Sequence, residues 1–393
     1  MNYSLYLHIP FCKQRCHYCD FITYAGKESL IPGYIQALIK ELRIVYTHLP
    51  KISLHSIYFG GGTPSLISLS HYQKLLKVIR AQFNFTEDCE ISLEANPGTV
   101  SLAYLQGLRT LGFNRISFGV QSTNAMDLIR LDRIHNNEDS LQAVEFARQA
   151  GFDNINMDMI FNYPWQDLSS WQHSLCRAVD LVPQHFSLYS LTIESGTPLF
   201  EWYQRGLIAP QDEDLAADMY EYAIKLLAQA GYNHYEISNW AISAPGHDYR
   251  CRHNLQYWLT KPYIGVGVGA HGYLGNIRTE NTREIETYLQ SMSKNNEKTW
   301  EFSQTPATIA ADAVDLDTQM RDFMWLGLRL LDDGVSLTRF QTTFGCSALD
   351  IFKTEIEELL GLGLVEWGDA NQEHLKLTHK GNLLANQVFM RFI

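Results

Sequence analysis

The chain has 393 residues, 46% of them apolar, enough for one large domain with a smaller one or for two to three ordinary domains. Its formal charge of −12 excludes a general nucleic-acid binder, whose affinity depends on a basic surface. No apolar run is long enough for a membrane span, and "MNYSLYLHIPF" lacks the basic-then-apolar order of a signal peptide, so a soluble cytosolic protein without disulfides is expected.

The first predicted strand, "LYLHI", runs into "PFCKQRCHYCDF", where Cys12, Cys16 and Cys19 stand at spacing C-x3-C-x2-C. A helix follows in "PGYIQALIKELRIVYTHL", entered at Pro32 and Gly33. Five further strands are predicted at "SLHSIYF", "CEISLEA", "NRISFGV", "NINMDMIF" and "FSLYSLT", separated by amphipathic stretches such as "EDSLQAVEFARQAG", which ends at the C-cap candidate Gly151. Six strand–helix alternations imply a parallel sheet with crossover helices, either a full or partial barrel or an open doubly wound sheet. In both, ligand residues gather at the C-terminal ends of the strands. Residues 232–300 are mixed and contain the glycine-rich "YIGVGVGAHGYLG", while 293–308 reads as a polar linker. The tail holds the helical patterns "RDFMWLGLRLLDDG" and "SALDIFKTEIEELLGLG", then two strands around a polar turn, as in a small winged-helix unit. Domains are therefore expected at 1–235, 236–300 and 305–393.

Three clustered thiols in a reducing compartment suggest metal or redox chemistry. Structural zinc needs four ligands, and His17, between Cys16 and Cys19, would have to fold back to supply one. Cys89, Cys176, Cys251 and Cys346 are scattered and read as small buried hydrophobes. A four-iron cluster on three thiolates leaves one iron open to a small molecule's amine and carboxylate.

After the second strand, "YFGGGTPS" places Gly60, Gly61, Gly62 and Thr63 where backbone can approach a ligand closely, or where the chain simply turns tightly. It is no phosphate-binding P-loop, because the Gly-Lys-Ser/Thr ending is missing. Glu94 ends the third strand, suited to accept from both hydroxyls of a ribose. Gln121 lies just beyond the fourth, and Asp158 sits inside the otherwise apolar fifth, where an unpaired carboxylate is costly. Arg133 could balance Asp158, hold a ligand carboxylate, or be a surface residue opening the next helix.

"CKQRCHYC", with Tyr18 before the third cysteine, resembles the signature of the radical S-adenosylmethionine (SAM) superfamily. More narrowly, "YLHIPFCKQRCHYC", "GGGTPS", "EANP", "SFGVQS", "RLDRIHN" and "DMIFNYPWQ" resemble oxygen-independent coproporphyrinogen III oxidase and its relatives over nearly the whole chain. The resemblance implies a partial (βα)6 barrel with a small C-terminal helical, winged-helix-like domain. It also implies a [4Fe-4S] cluster on Cys12, Cys16 and Cys19. Around the SAM it places Tyr6, Gly61, Gly62, Thr63, Glu94, Gln121, Arg133, Asp158, Tyr189 and Thr192; at the last of these the family pattern favours alanine.

Two departures separate this chain from the oxidase. Phe21 stands where the oxidase has a further cysteine, and the short run before the first strand leads to the expectation that the oxidase's N-terminal extension is absent. "RHNLQYW", with His253, Asn254, Tyr257 and Trp258, instead resembles the HNxxYW pattern of the HemW-type haem chaperones. That resemblance implies a haem carrier, with His253 among the haem-binding residues. Its implied partners are an electron donor, a second copy, and a haem-accepting apoprotein at the inner face of the membrane. The rival expectations are the oxidase itself and a radical enzyme on another substrate, with "HNLQYW" purely structural. His271 is left as structural or cofactor-facing.

Overall fold

The computed structural model describes residues 2–294 and 301–393. All six expected strands form: β1 (Asn2–Ile9), β2 (Ser53–Gly61), β3 (Asn84–Ala95), β4 (Arg115–Gln121), β5 (Ile155–Phe161) and β6 (His185–Ser190). They lie side by side in sequence order and pair in parallel. Crossover helices include α1 (Ile31–His48), α2 (Leu69–Gln82), α3 (Leu102–Leu111), α4 (Asn137–Gln149) and α5 (Leu168–Val179), with α6 (Glu213–Gln229) following β6. α4 opens with a reciprocal capping box between Asn136 and Asp139 and is left through Gly151 at φ +89°.

Period-two alternation assigns the strands' faces. Ile57 and Phe59, Ile91 and Leu93, Ile116 and Phe118, and Met157 and Met159 are buried in the main apolar core with residues of the helices. The alternate positions are mostly polar: Ser56 and Tyr58, Glu90 and Glu94, Arg115 and Ser117, Asn156 and Asp158, His185 and Ser187. Such a polar layer on the concave face of a parallel sheet must find partners within itself or in a ligand.

Residues 232–281 extend both ends of the sheet. β7 (Tyr232–Glu236) and β8 (Asn239–Ala244) form a hairpin whose second strand lies antiparallel on β6. A short helix, α7 (Arg252–Trp258), follows, and β9 (Tyr263–Val266) then pairs parallel to β1 on the opposite edge. β10 (His271–Leu274), β11 (Ile277–Asn281) and β12 (Thr308–Ala313) continue antiparallel. The buried Glu41 of α1 ties this extension down. It accepts from Gly267 N–H (2.8 Å), Asn281 Nδ2 (2.7 Å), Tyr288 OH (2.7 Å) and Thr305 Oγ1 (3.0 Å).

Residues 305–313, assigned from sequence to the tail, belong instead to the main sheet through β12, because their backbone groups complete the ladder of β11. Of the expected linker, residues 295–300 lie outside the described residues. The tail has its own core around Phe323, Phe340, Phe352 and Leu375. It contains α8 (Leu316–Gly327), α9 (Leu337–Phe344) and a three-stranded sheet of Val335–Ser336, His374–Leu377 and Val365–Trp367. Arg329 joins tail to barrel, its guanidinium 4.1 Å from the centre of the Trp258 ring and 3.8 Å from the buried Glu236 carboxylate.

Candidate functional site

The cysteine loop begins where β1 ends and is closed at its base by a short parallel pairing of Phe11–Cys12 with Tyr24–Ala25. His8 Nε2 contacts Ile22 O at 2.8 Å and fixes the returning strand. Thr63 Oγ1 lies 3.6 Å from Cys12 Sγ, and the Arg133 guanidinium donates to Cys16 Sγ at 3.5 Å and to Gly119 O at 2.8 Å. Burial pushes the Cys12 and Cys19 thiols up, while Thr63 and Arg133 oppose this at Cys12. Arg133 is therefore turned toward the thiols and is not the countercharge of Asp158. His17 pairs with Asp132 at 3.4 Å and stacks edge-on to Trp202.

The glycine run of β2 approaches this loop from one side. Gly61 has φ +118°, and a Cβ there would stand 2.5 Å from the His8 ring. At Gly62 a Cβ would lie 2.9 Å from Cys12 Sγ, so the missing side chain leaves room beside the thiol. Glu94 Oε2 accepts from Gly61 N–H at 3.0 Å and Oε1 from Tyr58 OH at 2.8 Å. Burial, then the charge of Asp158, raises the Glu94 carboxyl to about 7 despite these donors.

Asp158 is held from below by Ser117 Oγ (2.7 Å) and Asn156 Nδ2 (2.8 Å), and burial raises its pKa too. Asn156 in turn contacts His185 Nδ1 at 2.5 Å, whose other nitrogen meets Tyr235 OH at 2.8 Å. Arg115, only 2% exposed, is the cation beneath the two carboxylates and lowers both their pKa values. Sequence reasoning missed it. The signal was present: in "RISFGVQ" alternation puts Arg115 on the face of Ser117, Gly119 and Gln121.

These groups surround one cavity of about 420 Å³. Cys12, Cys16, Cys19, Gly61, Gly62, Thr63, Glu94, Gln121, Arg133, Asp158, Tyr189 and Thr192 all line it. Gln121 has left-handed backbone (φ +65°), and its Oε1 is buried without a partner, as is Arg133 Nε. Partnerless polar atoms in such a wall are free to meet water or a ligand. Three thiols with no fourth cysteine beside them among the described residues, next to a glycine-lined carboxylate pocket, fit a cluster with one open iron and a nucleoside-bearing amino acid.

Tyr6 does not reach this cavity. It is half-buried, its hydroxyl 2.9 Å from His8 Nδ1 and its ring stacked 6.3 Å from Tyr58. The HNxxYW segment lies apart from the thiols. It forms α7, whose first turn is anchored by Glu90 accepting from Arg252 and His253 N–H. His253 is 1% exposed, with Nδ1 3.0 Å from Ser56 Oγ, Nε2 2.8 Å from Tyr257 OH, and its ring stacked 5.0 Å from Tyr58. Burial lowers its pKa to about 3. Both ring nitrogens are thus engaged by hydroxyl groups inside the wall. Asn254 faces the cluster-side cavity, whereas Tyr257 and Trp258 face a different one.

Residues 6–173 match the Radical SAM superfamily and 314–384 the HemN C-terminal domain. The chain is 34% identical to "Heme chaperone HemW" of Bacillus subtilis, with 99% of each covered. It is 35% identical to the Lactococcus lactis protein of that name, covering 99% of this chain and 97% of that one. To the Escherichia coli protein it is also 35% identical, with 99% and 98% covered. Among solved structures, coproporphyrinogen III oxidase (HemN) from Escherichia coli superposes with a TM-score of 0.82 at 25% identity, covering all of this chain and 90% of that one.

Proposed function

The chain belongs to the HemW haem chaperone family of radical SAM proteins, and from that premise we propose that it binds haem and passes it to an apoprotein. In this reading Cys12, Cys16 and Cys19 hold a [4Fe-4S] cluster and the cavity beside them holds SAM. When bound, the cluster supplies an open iron that chelates the SAM amine and carboxylate and an electron for it. The chain's own residues bind and orient. Glu94 accepts from the ribose hydroxyls, the left-handed Gly61 and its neighbour Gly62 admit the methionine end, and Tyr189 and Thr192 flank the adenine. Arg115 keeps Glu94 and Asp158 from repelling each other out of shape.

The observation that carries the reading is the convergence of the three thiols and the Glu94–Asp158 pair on one cavity, in a chain similar along its length to haem chaperones. Phe21, 65% exposed on the same cavity, stands where the oxidase pattern has a cysteine and supports a carrier over that enzyme. The haem acceptor would be a membrane-associated haem enzyme, with an electron donor and a second copy as further partners. Among the described residues no helix is long and apolar enough to cross a membrane.

The test is anaerobic titration of cluster-reconstituted protein with haem, followed by mixing with a haem-free acceptor enzyme. Saturable Soret change and transfer to the acceptor are expected. Absence of saturable binding overturns the reading, and SAM-dependent conversion of coproporphyrinogen to protoporphyrinogen would replace it with the oxidase.

A further inference from the structure

A second cavity, of about 760 Å³, lies between the outer strands of the sheet and the C-terminal unit. Such a volume is within the roughly 300–1,000 Å³ range of pockets that enclose cofactor-sized ligands. Tyr257, Trp258, Tyr263, Tyr273, Trp325 and Phe344 supply much of its wall. Tyr257 and Tyr263 meet edge to face at 4.6 Å, and Tyr263 pairs across the ladder with Tyr273. Rings that bury a large area with little conformational freedom suit a flat, apolar macrocycle.

His271 lies in this wall, two residues before Tyr273 on the same face of β10, and is exposed. Its imidazole makes no hydrogen bond among the described residues, in contrast to His253, whose nitrogens are both taken. At the rim, Lys261 has no carboxylate partner among the described residues. Partial burial, and after it the Arg339 guanidinium, lower its pKa. An arriving carboxylate would relieve that strain between cations. Arg278, also in the wall, is already paired with Asp322 at 2.5 Å. The cavity thus combines an aromatic body, one open imidazole and one unpaired cation, the recognition set of an iron porphyrin with acidic side chains.

We propose that haem occupies this second cavity, with the His271 imidazole as an axial ligand to iron and Lys261 facing a propionate. The assignment rests on the haem-carrier reading but separates haem from the cluster. α7 forms the partition, presenting Asn254 to one cavity and Tyr257 and Trp258 to the other.

The experiment titrates full-length, cluster-reconstituted wild type and the variants His271→Ala, His271→Met, His253→Ala and Lys261→Glu with haem. Soret absorption and resonance Raman spectra are recorded, with iron, sulfide and SAM binding measured in each as a control of folding. His271→Ala is expected to lose the histidine-ligand signature and to bind at least about tenfold more weakly. His271→Met should bind with a changed axial signature, and Lys261→Glu should weaken binding with the wild-type signature intact. A wild-type spectrum and affinity in His271→Ala overturns the proposal while leaving the carrier reading standing. Loss of the signature in His253→Ala alone, with cluster and SAM binding intact, overturns it equally. No saturable binding to wild type removes both.

Discussion

Replacing Glu94 with Gln separates ligand recognition from stability at one atom pair. The wild-type carboxyl titrates at about 7, raised by burial and by Asp158. A ribose hydroxyl donating to a carboxylate contributes roughly 1.5–3 kcal/mol, and one donating to an amide about half that. Glu94→Gln is therefore expected to weaken SAM binding by about tenfold at pH 8, where the wild-type group is ionised. The difference should shrink as the pH falls to 6 and the wild-type carboxylate protonates. The SAM amine titrates identically against both proteins, so the ratio of affinities isolates Glu94. Stability runs the other way. A carboxyl raised from 4.5 to about 7 in the folded state contributes stability that is fully present below 4.5 and lost as pH rises through 7. The ionised group thus burdens the ligand-free wild type at pH 8 by at most roughly 3 kcal/mol, less where water in the cavity screens it. The variant's melting temperature should gain on wild type between pH 5 and 8. Anaerobic calorimetric titration and thermal melts measure the two effects. An affinity ratio that does not change between pH 6 and 8, or a melting difference with no pH trend, would refute the reasoning.

Other substitutions probe the surroundings. Cys16→Ser should abolish cluster assembly, read as iron and sulfide per chain, while leaving the far-ultraviolet spectrum unchanged. Gly62→Ala places a methyl 2.9 Å from Cys12 Sγ and 2.8 Å from Phe11 O; overpacking of this kind costs about 1–3 kcal/mol, and reduced cluster occupancy at wild-type expression is expected. Arg329→Met strips the buried Glu236 of its cation, for a loss of about 3–5 kcal/mol. Burial already raises the Glu236 pKa, so the loss should be largest at high pH and ease as acid neutralises the carboxyl. A melting temperature insensitive to pH in that variant, or no recovery in the double variant with Glu236→Gln, would count against it.

Local chemistry explains what could be read without coordinates. The six strands announce themselves because their outer faces are continuous with the helix-facing core, as in "INMDMIF" and "RISFGVQ". Parallel order then fixes that strand ends converge, so the thiol loop after β1, the glycines at the end of β2 and Glu94 on β3 had to meet. Spacing in one short loop was enough to suggest a cluster, since three thiols within eight residues can reach one another without help from the rest of the chain.

Distances across the fold belong to no local pattern. Tyr6 shares the alternating face of its strand with His8, yet Tyr58 and Glu94 line the cavity and Tyr6 does not. The direction of Arg133, toward Cys16 and away from Asp158, depends on where β4 places Gly119 O. His253 carries a motif but spends both nitrogens on Ser56, 197 positions earlier, and on Tyr257. The second cavity exists only because β9 crosses back to β1 and the tail folds over its edge. Sequence alone determined which groups the strands offer inward, because side-chain alternation is a property of each strand. Only the tertiary structure decided which of them remain open to a ligand, because that depends on whether a neighbour from a distant segment has already satisfied them.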